Sequence, residues 1–255
     1  MLPVERRKKI MDLLNKREVL KIDELLDELD ISTVTLRRDI NILAEQGLII
    51  KIYGGIQGLK TNLINSPSDG RIVQNIEEKE QIAIKCCELI EDYDCIYLDG
   101  GSTAFQIAKH IKHFKNLTVV TNSIPIINEL IDSQVDLIIL GGKMSVKKRS
   151  IAAYDYLFNF SGLNIFKAFI SASGITIEKG ISDYNLDEVN TRKKIIDISK
   201  EVYIIADNTK FGKDVAVGIA PLEKVDYIVT DGGVRQTFIE DFQKTQVELV
   251  VANVI

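Results

Sequence analysis

Long apolar runs are absent from this sequence. No apolar run in the 255 residues approaches the roughly 20 residues that a membrane-spanning helix needs. The N-terminus, Met-Leu-Pro-Val-Glu-Arg-Arg-Lys-Lys, lacks the apolar segment of a secretory signal. Hydrophobic residues make up 45% of the chain and charged residues 27%, as in soluble globular proteins with a sizeable core. We therefore expect a cytoplasmic protein, and its length favours two domains.

Cysteine and histidine are also scarce. The three cysteines are Cys86, Cys87 and Cys95. Adjacent cysteines cannot easily bridge each other, and no Cys/His spacing matches a zinc site, so structural thiols in a reducing compartment are expected. The two histidines, His110 and His113, fall three residues apart on a predicted helix without a third ligand nearby. We expect no metal ion and no other cofactor.

The net charge of −5 at first argues against a nucleic-acid partner. The charge is unevenly distributed, however, because residues 1–58 hold ten Lys or Arg and ten Asp or Glu, which places the excess of acid after residue 58. Within this neutral segment, basic residues gather at 6–9, 37–38 and 51, and acidic residues at 23–30. A neutral module with separated charges can still present one basic face.

The apolar spacing of the N-terminal segment predicts three helices and a hairpin. The helices are expected at about 4–16, 21–29 and 32–46, and Gly47 is the usual glycine after a helix end. Two short strands, 48–53 and 54–56, follow. This order predicts a winged helix-turn-helix, a DNA-binding domain, over residues 1–57.

The third predicted helix opens with Ser-Thr-Val-Thr-Leu-Arg-Arg, residues 32–38. Ser32 is a plausible N-cap, and Val34, Leu36, Ile40 and Leu43 are expected to face a core. Hydroxyls can reach a DNA backbone or a base edge, and arginines can form paired hydrogen bonds with guanine or phosphate. The candidate DNA-binding residues in this helix and the following hairpin are Ser32, Thr33, Thr35, Arg37, Arg38, Lys51 and Tyr53.

A linker is expected at residues 58–76, where periodicity is poor and turn-forming residues such as Pro67 and Gly70 occur. Helices and near-continuous apolar strands alternate afterwards, which predicts a mostly parallel sheet covered on both faces. Residues 77–255 are thus expected to form a larger three-layer α/β domain. The predicted helices are 77–91, 103–113 and 124–132, and the predicted strands are 95–98, 117–120, 135–140, 168–171, 202–206, 227–230 and 247–251.

Polar or glycine-rich residues follow five of these strands. In an open parallel sheet, ligands bind outside the carboxyl ends of the strands. The first of these loops, Asp99-Gly100-Gly101-Ser102-Thr103, combines backbone N–H groups, hydroxyls and a helix N-terminus, which suits a phosphate. Each loop alone is explained by a helix cap or a turn glycine, but together they predict a pocket for a small phosphorylated, hydroxyl-rich ligand. The candidate effector-binding residues are Asp99, Gly100, Gly101, Ser102, Thr103, Thr121, Asn122, Ser123, Gly141, Gly142, Asp183, Asp207 and Lys210.

Both parts of the chain resemble the DeoR family of bacterial regulators. Residues 5–56 resemble its helix-turn-helix through Thr35-Leu36-Arg37-Arg38-Asp39-Ile40 and the glycines Gly54-Gly55, with Tyr53 where the family usually has His. Residues 77–251 resemble its effector domain. The motifs that carry this second resemblance are residues 99–103, 120–123, 140–142, 173–175, 180–182 and 207–212. The resemblance implies a fold related to ribose-5-phosphate isomerase and glucosamine-6-phosphate deaminase, and a sugar phosphate as inducer.

The function implied is that of a DNA-binding transcriptional regulator of a carbohydrate-utilisation operon, expected to be a repressor. Its partners would be double-stranded operator DNA and a phosphorylated sugar that relieves binding. A single small module reads few base pairs, so a homo-oligomer, dimer or tetramer, is expected on repeated half-sites.

Two other functions compete with this one. A sugar-phosphate isomerase-like enzyme could use the carboxylates of Asp99, Asp183, Glu188 and Asp207 to move protons. However, the deaminase-like relatives use a catalytic histidine in a loop, and the aspartate-rich loop of the isomerases is not found. A protein-interaction role for the helix-turn-helix is disfavoured by its adjacent arginines and wing glycines. We therefore expect that the protein is not an enzyme.

Overall fold

The computed structural model describes residues 3–17, 19–45, 49–52, 54–58, 74–146, 148–154 and 158–252. The chain forms two compact units, Met1–Gln74 and Asn75–Ile255, and each is described by itself. Gly47, Tyr53 and most of the predicted linker, residues 58–76, lie outside the described residues. Within the described ranges no helix is long and apolar enough to cross a membrane.

The N-terminal unit is the predicted winged helix-turn-helix. Its elements are α1 (Pro3–Lys16), β1 (Val19–Lys21), α2 (Ile22–Leu29), α3 (Thr33–Glu45), β2 (Ile49–Ile52) and β3 (Gly55–Gly58). The three strands form an antiparallel sheet in the order β1-β3-β2. Strand β1 was not predicted, because three residues are too few for a periodic pattern. It lies so close to β3 that a Cβ at Gly55 would be 2.5 Å from the Leu20 carbonyl oxygen.

Leu36, Ile40 and Leu43 of α3 are buried in the core of this unit, as predicted. The prediction that Val34 also faces the core is wrong, since Val34 is 80% exposed. A helix turns by about 100° per residue, so Val34 lies nearly opposite Leu36 on the helix.

Asp39 joins α3 to α1 inside the N-terminal unit. Its carboxylate is 2% exposed and accepts hydrogen bonds from Arg6 Nε and, at 3.5 Å, from Arg7 Nη1. These two arginines therefore neutralise an internal carboxylate, whereas Arg37 and Arg38, next to Asp39 in the sequence, are exposed. The burial of one charged side chain and the exposure of its two neighbours follow from the helical period.

The C-terminal unit alternates helices and strands. Its helices are α4 (Ile76–Cys87), α5 (Ser102–His110), α6 (Ile124–Leu130), α7 (Leu186–Ile198) and α8 (Gln236–Phe242). Its strands are β4 (Cys95–Leu98), β5 (Thr118–Thr121), β6 (Asp136–Ile139), β7 (Lys143–Ser145), β8 (Ser150–Ala152), β9 (Ile165–Ser171), β10 (Gly174–Thr176), β11 (Gly180–Asp183), β12 (Ser199–Ile205), β13 (Val217–Ala220), β14 (Tyr227–Asp231) and β15 (Glu248–Ala252).

Seven strands form the central sheet in the order β15-β14-β12-β9-β4-β5-β6, and every neighbouring pair is parallel. The register pairs Ile96 of β4 with Val119 of β5 on one side and with Lys167 of β9 on the other. Strands β5 and β6 extend from one side of β4, whereas β9, β12, β14 and β15 extend from the other. The strand order therefore reverses between β4 and β9, which is the topological switch point of the sheet.

Helices cover both faces of this sheet, which confirms the predicted three-layer α/β architecture. On one face α4, α5 and α6 contribute Ile82, Ile107 and Leu130 to a hydrophobic cluster. The other face carries α7 and α8 together with a small antiparallel sheet in the order β10-β11-β13. Burial on both faces explains why the central strands have almost uninterrupted apolar sequences.

Several elements of this unit were not predicted. They are helices α7 and α8, the antiparallel pair β7-β8 and the sheet β10-β11-β13. These strands have only three or four residues, which is too few for a periodic pattern to mark them. The prediction that His113 lies on the same helix as His110 is also wrong, because α5 ends at His110.

We predict that Asp39→Ala lowers the free energy of unfolding of the N-terminal unit by about 2 kcal/mol, because it removes the acceptor of two charge-assisted hydrogen bonds. Urea denaturation of the full chain measures this change when unfolding is monitored with a spectroscopic label attached to the N-terminal unit. Asp27→Ala on the exposed part of α2 is the control. Equal stabilities of the two variants would contradict the role of Asp39.

Candidate functional site

The solvent-exposed face of α3 carries three of the predicted DNA-binding residues, Thr33, Arg37 and Arg38. Thr33, Val34, Arg37, Arg38 and Asn41 are exposed, while the opposite face is packed in the core. Positions separated by three or four residues share one face of a helix. Two arginines thus lie side by side on a convex surface of the size that enters a major groove.

Ser32 caps the start of α3. Its Oγ accepts a hydrogen bond from the Thr35 backbone N–H at 3.3 Å and lies 3.0 Å from the Thr35 hydroxyl. This contact confirms the prediction that Ser32 is the N-cap of α3. The side chains of Ser32 and Thr35 therefore already form hydrogen bonds at the start of the helix. Their predicted role at DNA stays a prediction.

Lys51 lies on strand β2 of the wing and is connected to α3. Its Nζ donates a hydrogen bond of 2.6 Å to the side-chain oxygen of Asn41, and both residues are exposed. Asn41 was not among the predicted residues, although it falls three and four positions after Arg38 and Arg37 and asparagine is a side chain that recognises adenine. Tyr53, the other predicted wing residue, lies outside the described residues.

In the C-terminal unit the switch point is occupied by a buried arginine, Arg192 of α7. Its Nε donates to Asp99 Oδ2 at 2.8 Å, its Nη1 donates to Asp183, and its Nη2 lies 3.7 Å from Glu188 Oε2. The arginine and all three carboxylates are less than 10% exposed. This Arg192 cluster joins the end of β4, the end of β11 and the first turn of α7.

The cluster accounts for two predicted effector residues in a way that the sequence did not anticipate. Asp99 and Asp183 neutralise Arg192 instead of presenting free carboxylates to a ligand. Arg192 itself was missed because helix α7 was not predicted. One signal was available, since Asn185 caps α7 through the Asp187 N–H and Glu188 follows three residues later, as in a capping box.

The electrostatics of the cluster follow from burial and pairing. Burial raises the pKa of Asp99 above its ordinary value, although the nearby Arg192 guanidinium opposes this rise. Burial likewise raises the pKa of Tyr97, and the negative charge of Asp99 raises it further. Burial opposes the charge on Arg192, but the three surrounding carboxylates hold its pKa above the ordinary value.

Further hydrogen bonds extend the cluster to neighbouring elements. The Tyr97 hydroxyl donates to the Asn122 side-chain oxygen at 3.0 Å. Glu188 accepts a hydrogen bond of 2.8 Å from the Ser150 hydroxyl and lies 3.3 Å from Lys148 Nζ. These side-chain hydrogen bonds add to the backbone pairing of β4 with β5 and also connect the switch point to the β7-β8 segment.

The loop between β4 and α5 retains the properties expected of an anion site. Gly101 is the N-cap of α5, and a Cβ there would lie 1.8 Å from Ser171 Oγ, so a side chain would not fit. Ser171 ends β9 on the other side of the switch point, and its buried hydroxyl has no hydrogen-bond partner among the described residues. Ser102 and Thr103 begin α5, with Ser102 partly exposed and Thr103 buried. Gly100 completes this loop.

The polar residues at the end of β5 stabilise the fold. Thr121 is fully buried, donates to the Leu98 carbonyl at 2.7 Å and accepts from the Ser123 N–H at 3.1 Å. Asn122 is also buried and donates to the Ile151 carbonyl at 3.0 Å. These contacts match the helix-cap and turn explanation of this motif.

The two glycines after β6 lie beyond β5, away from the switch point. Gly141 is partly exposed, and a Cβ at Gly142 would lie 2.1 Å from the Ala152 carbonyl oxygen. Gly142 thus permits the close packing of the β7-β8 pair.

Asp207 and Lys210 form a separate group at the end of β12. Asp207 is 1% exposed, accepts hydrogen bonds from the Thr209 hydroxyl and N–H, and lies 3.5 Å from Lys210 Nζ. Burial favours a higher pKa for Asp207, but Lys210, Thr209 and the buried Lys79 together lower it. Because β9 separates β12 from β4, the strand that carries this group lies about 10 Å from β4. The Lys210 side chain is 32% exposed and can reach a ligand.

A surface pocket of about 410 Å³ lies elsewhere in the C-terminal unit. It is formed by α7, β13 and the turn after β13, and contains none of the predicted effector residues. Within the described part of the chain, no group of three His, Cys, Asp or Glu side chains is placed to hold a metal ion.

Comparison with known proteins matches both units. Residues 6–62 match the DeoR-like helix-turn-helix domain, and residues 74–232 match the DeoR C-terminal sensor domain. The chain belongs to the DeoR family of transcriptional regulators. Its domains are those of a DNA-binding regulator and not of an enzyme.

Two curated relatives illustrate this family membership. The HTH-type transcriptional regulator IolR of Bacillus subtilis is 36% identical over 91% of this chain and 92% of its own. The glycerol-3-phosphate regulon repressor of Escherichia coli is 30% identical over 89% of this chain and 90% of its own. Among solved structures, a D-ribose-5-phosphate isomerase in complex with phospho-erythronic acid aligns with a TM-score of 0.41 at 16% identity, over 53% of this chain and 54% of that one.

We predict that Arg192→Met lowers the free energy of unfolding by about 3–5 kcal/mol near pH 7.5, because three buried carboxylates lose their counter-charge. The pKa of Asp99 is already raised by burial and should rise further without Arg192. A carboxyl group with a raised folded-state pKa costs stability above that pKa, and the cost falls as the pH falls through it. The loss measured by urea denaturation should therefore be smaller near pH 5.

Lys193→Met is the matched control, because Lys193 is the exposed neighbour of Arg192 on α7. It should leave stability nearly unchanged at both pH values. A loss in Arg192→Met that is independent of pH would mean that packing, and not charge neutralisation, explains the effect.

Proposed function

We propose that this chain is a cytoplasmic repressor of a carbohydrate-utilisation operon, and that a phosphorylated sugar releases it from double-stranded operator DNA. The observation that carries the proposal is the exposure of Arg37 and Arg38 on α3, while Asp39 beside them is neutralised internally by α1. Positive charge is thus presented to a partner without a compensating carboxylate from the same motif. Family membership and a relative named as a regulon repressor support the same function.

The proposed division of labour follows the two units. Residues 1–57 would bind DNA, residues 58–76 would link the units, and residues 77–255 would bind the effector and oligomerise. We propose a homo-oligomer, dimer or tetramer, since operator half-sites mirror the symmetry of the protein. The effector would shift the population towards an arrangement of the DNA-binding modules that fits the operator poorly.

The proposed phosphate site is the loop Gly100–Thr103 at the switch point. Two kinds of donor are available to a phosphate there, the backbone N–H groups at the start of α5 and the Ser102 hydroxyl. The buried Ser171 hydroxyl behind Gly101 has no partner within the described ranges. Lys210, partly exposed two strands away, would supply a positive charge to the same ligand. Asp99 and Asp183 would take part indirectly, by fixing Arg192 beneath the loop.

Arg37→Ala and Arg38→Ala should each weaken operator binding by roughly 5- to 150-fold, the range expected when a bidentate hydrogen bond to guanine is removed. An electrophoretic mobility-shift titration on the upstream DNA of the chain's own gene, repeated at several salt concentrations, measures this. The arginine that contacts a phosphate should lower the salt slope by about one when removed, and the one that contacts a base should relax specificity.

Lys244→Ala, an exposed position paired with Asp241 in the C-terminal unit, is the control and should bind like the parent. Parent-like affinity in both arginine variants would refute the DNA-reading assignment and favour a protein-interaction role for the helix-turn-helix.

Lys210→Ala and Ser102→Ala should weaken the response to effector while leaving operator affinity unchanged, because both residues lie in the sensor domain. A panel of pentose and hexose phosphates is first screened by thermal shift, since a ligand that binds the folded state stabilises it. Operator release is then titrated with the compound that stabilises the parent. Undiminished release in both variants, relative to Lys244→Ala, would refute the proposed site.

A further inference from the structure

Val34 is an apolar side chain in the middle of a polar surface. It is 80% exposed, and it lies on the same face of α3 as the exposed Arg37, Arg38 and Asn41. Because Leu36, Ile40 and Leu43 already fill the core from the opposite face, Val34 contributes nothing to the packing of this unit. Its place among the exposed polar residues of this face makes it available to an apolar group of the DNA that they are proposed to bind.

The spacing along α3 fits the spacing of base pairs. With a rise of 1.5 Å per residue, Val34 and Asn41 are separated by about 10 Å along the helix axis. Successive bases on one strand are about 3.4 Å apart, so this face spans roughly three base-pair steps. Val34 occupies the N-terminal end of the face, and Asn41, held by Lys51, occupies the other end.

The major groove offers one apolar group that matches an exposed valine, the C5-methyl group of thymine. We propose that Val34 contacts a thymine methyl group in the operator, within about three base pairs of the bases contacted by Arg37 and Arg38. The contact excludes water from two apolar groups and favours thymine over cytosine at that position. This inference rests on the proposed operator binding and adds a residue that determines sequence specificity.

The proposal can be tested without loss of folding. Val34→Ala removes two methyl groups from an exposed site and replaces a β-branched residue with the best helix former, so α3 should remain intact. Val34→Thr keeps one of the two methyl groups and serves as the conservative variant. The parent, both valine variants, and Arg37→Ala and Arg38→Ala are compared as full-length proteins.

The probe is the operator itself, in which each thymine is replaced by deoxyuridine at symmetry-related positions of the half-sites. This replacement removes only the C5-methyl group. For the parent, one position per half-site should show affinity reduced about fourfold for each thymine methyl group removed. Val34→Ala should bind the thymine operator with a similar reduction in affinity and should no longer distinguish thymine from deoxyuridine at that position. Val34→Thr should retain part of the discrimination.

Two results would overturn the proposal. One is full discrimination between thymine and deoxyuridine by Val34→Ala at every position. The other is a parent protein that does not distinguish thymine from deoxyuridine at any position. A Val34→Ala variant that changes only the oligomeric state would likewise count against the proposed contact. Failure of operator binding as a whole is recognised separately, because Arg37→Ala and Arg38→Ala would then bind like the parent.

Discussion

The ion cluster around Arg192 is the interaction on which the sensor domain depends. One buried guanidinium holds carboxylates from the end of β4, the end of β11 and the start of α7, at the point where the strand order reverses. A buried arginine without its partners, or carboxylates without the arginine, would be strongly destabilising. The three elements can therefore pack together only when the charges of Arg192 and the carboxylates neutralise one another. The loop that precedes α5 is attached to this cluster through Asp99.

The DNA-binding unit solves a related problem on a smaller scale. Asp39 is buried between α1 and α3 and is neutralised by Arg6 and Arg7, which leaves the neighbouring Arg37 and Arg38 on the surface. In both units an aspartate of the predicted binding motif, Asp39 or Asp99, is buried and paired with arginine. Only the neighbouring residues of each motif, such as Arg37 and Arg38, remain at the surface.

The sequence predicted the order of the main elements because helices and buried strands leave strong periodic signals. Strand β4 was placed at its observed residues, and the winged helix-turn-helix followed from three amphipathic helices and a hairpin. Helix α7 was missed, and with it Arg192, although the capping residues Asn185 and Glu188 were visible. The prediction that Val34 faces the core was wrong because it rested on the apolar character of valine alone. The position of Val34 around the helix axis places it nearly opposite Leu36.

The sequence by itself determined the family, the two-part organisation and the set of polar strand ends, since these depend on local pattern and residue type. Only the tertiary structure decided which of those residues are accessible. Thr121 and Asn122 bond to backbone groups of neighbouring segments, and Asp99 and Asp183 are both paired with Arg192, which lies 93 residues after Asp99. Lys210 stays partly exposed, and Arg37 and Arg38 on α3 stay exposed. The reason is physical: partners for buried polar groups come from whichever segments the sheet brings together, and that proximity is not encoded in local periodicity.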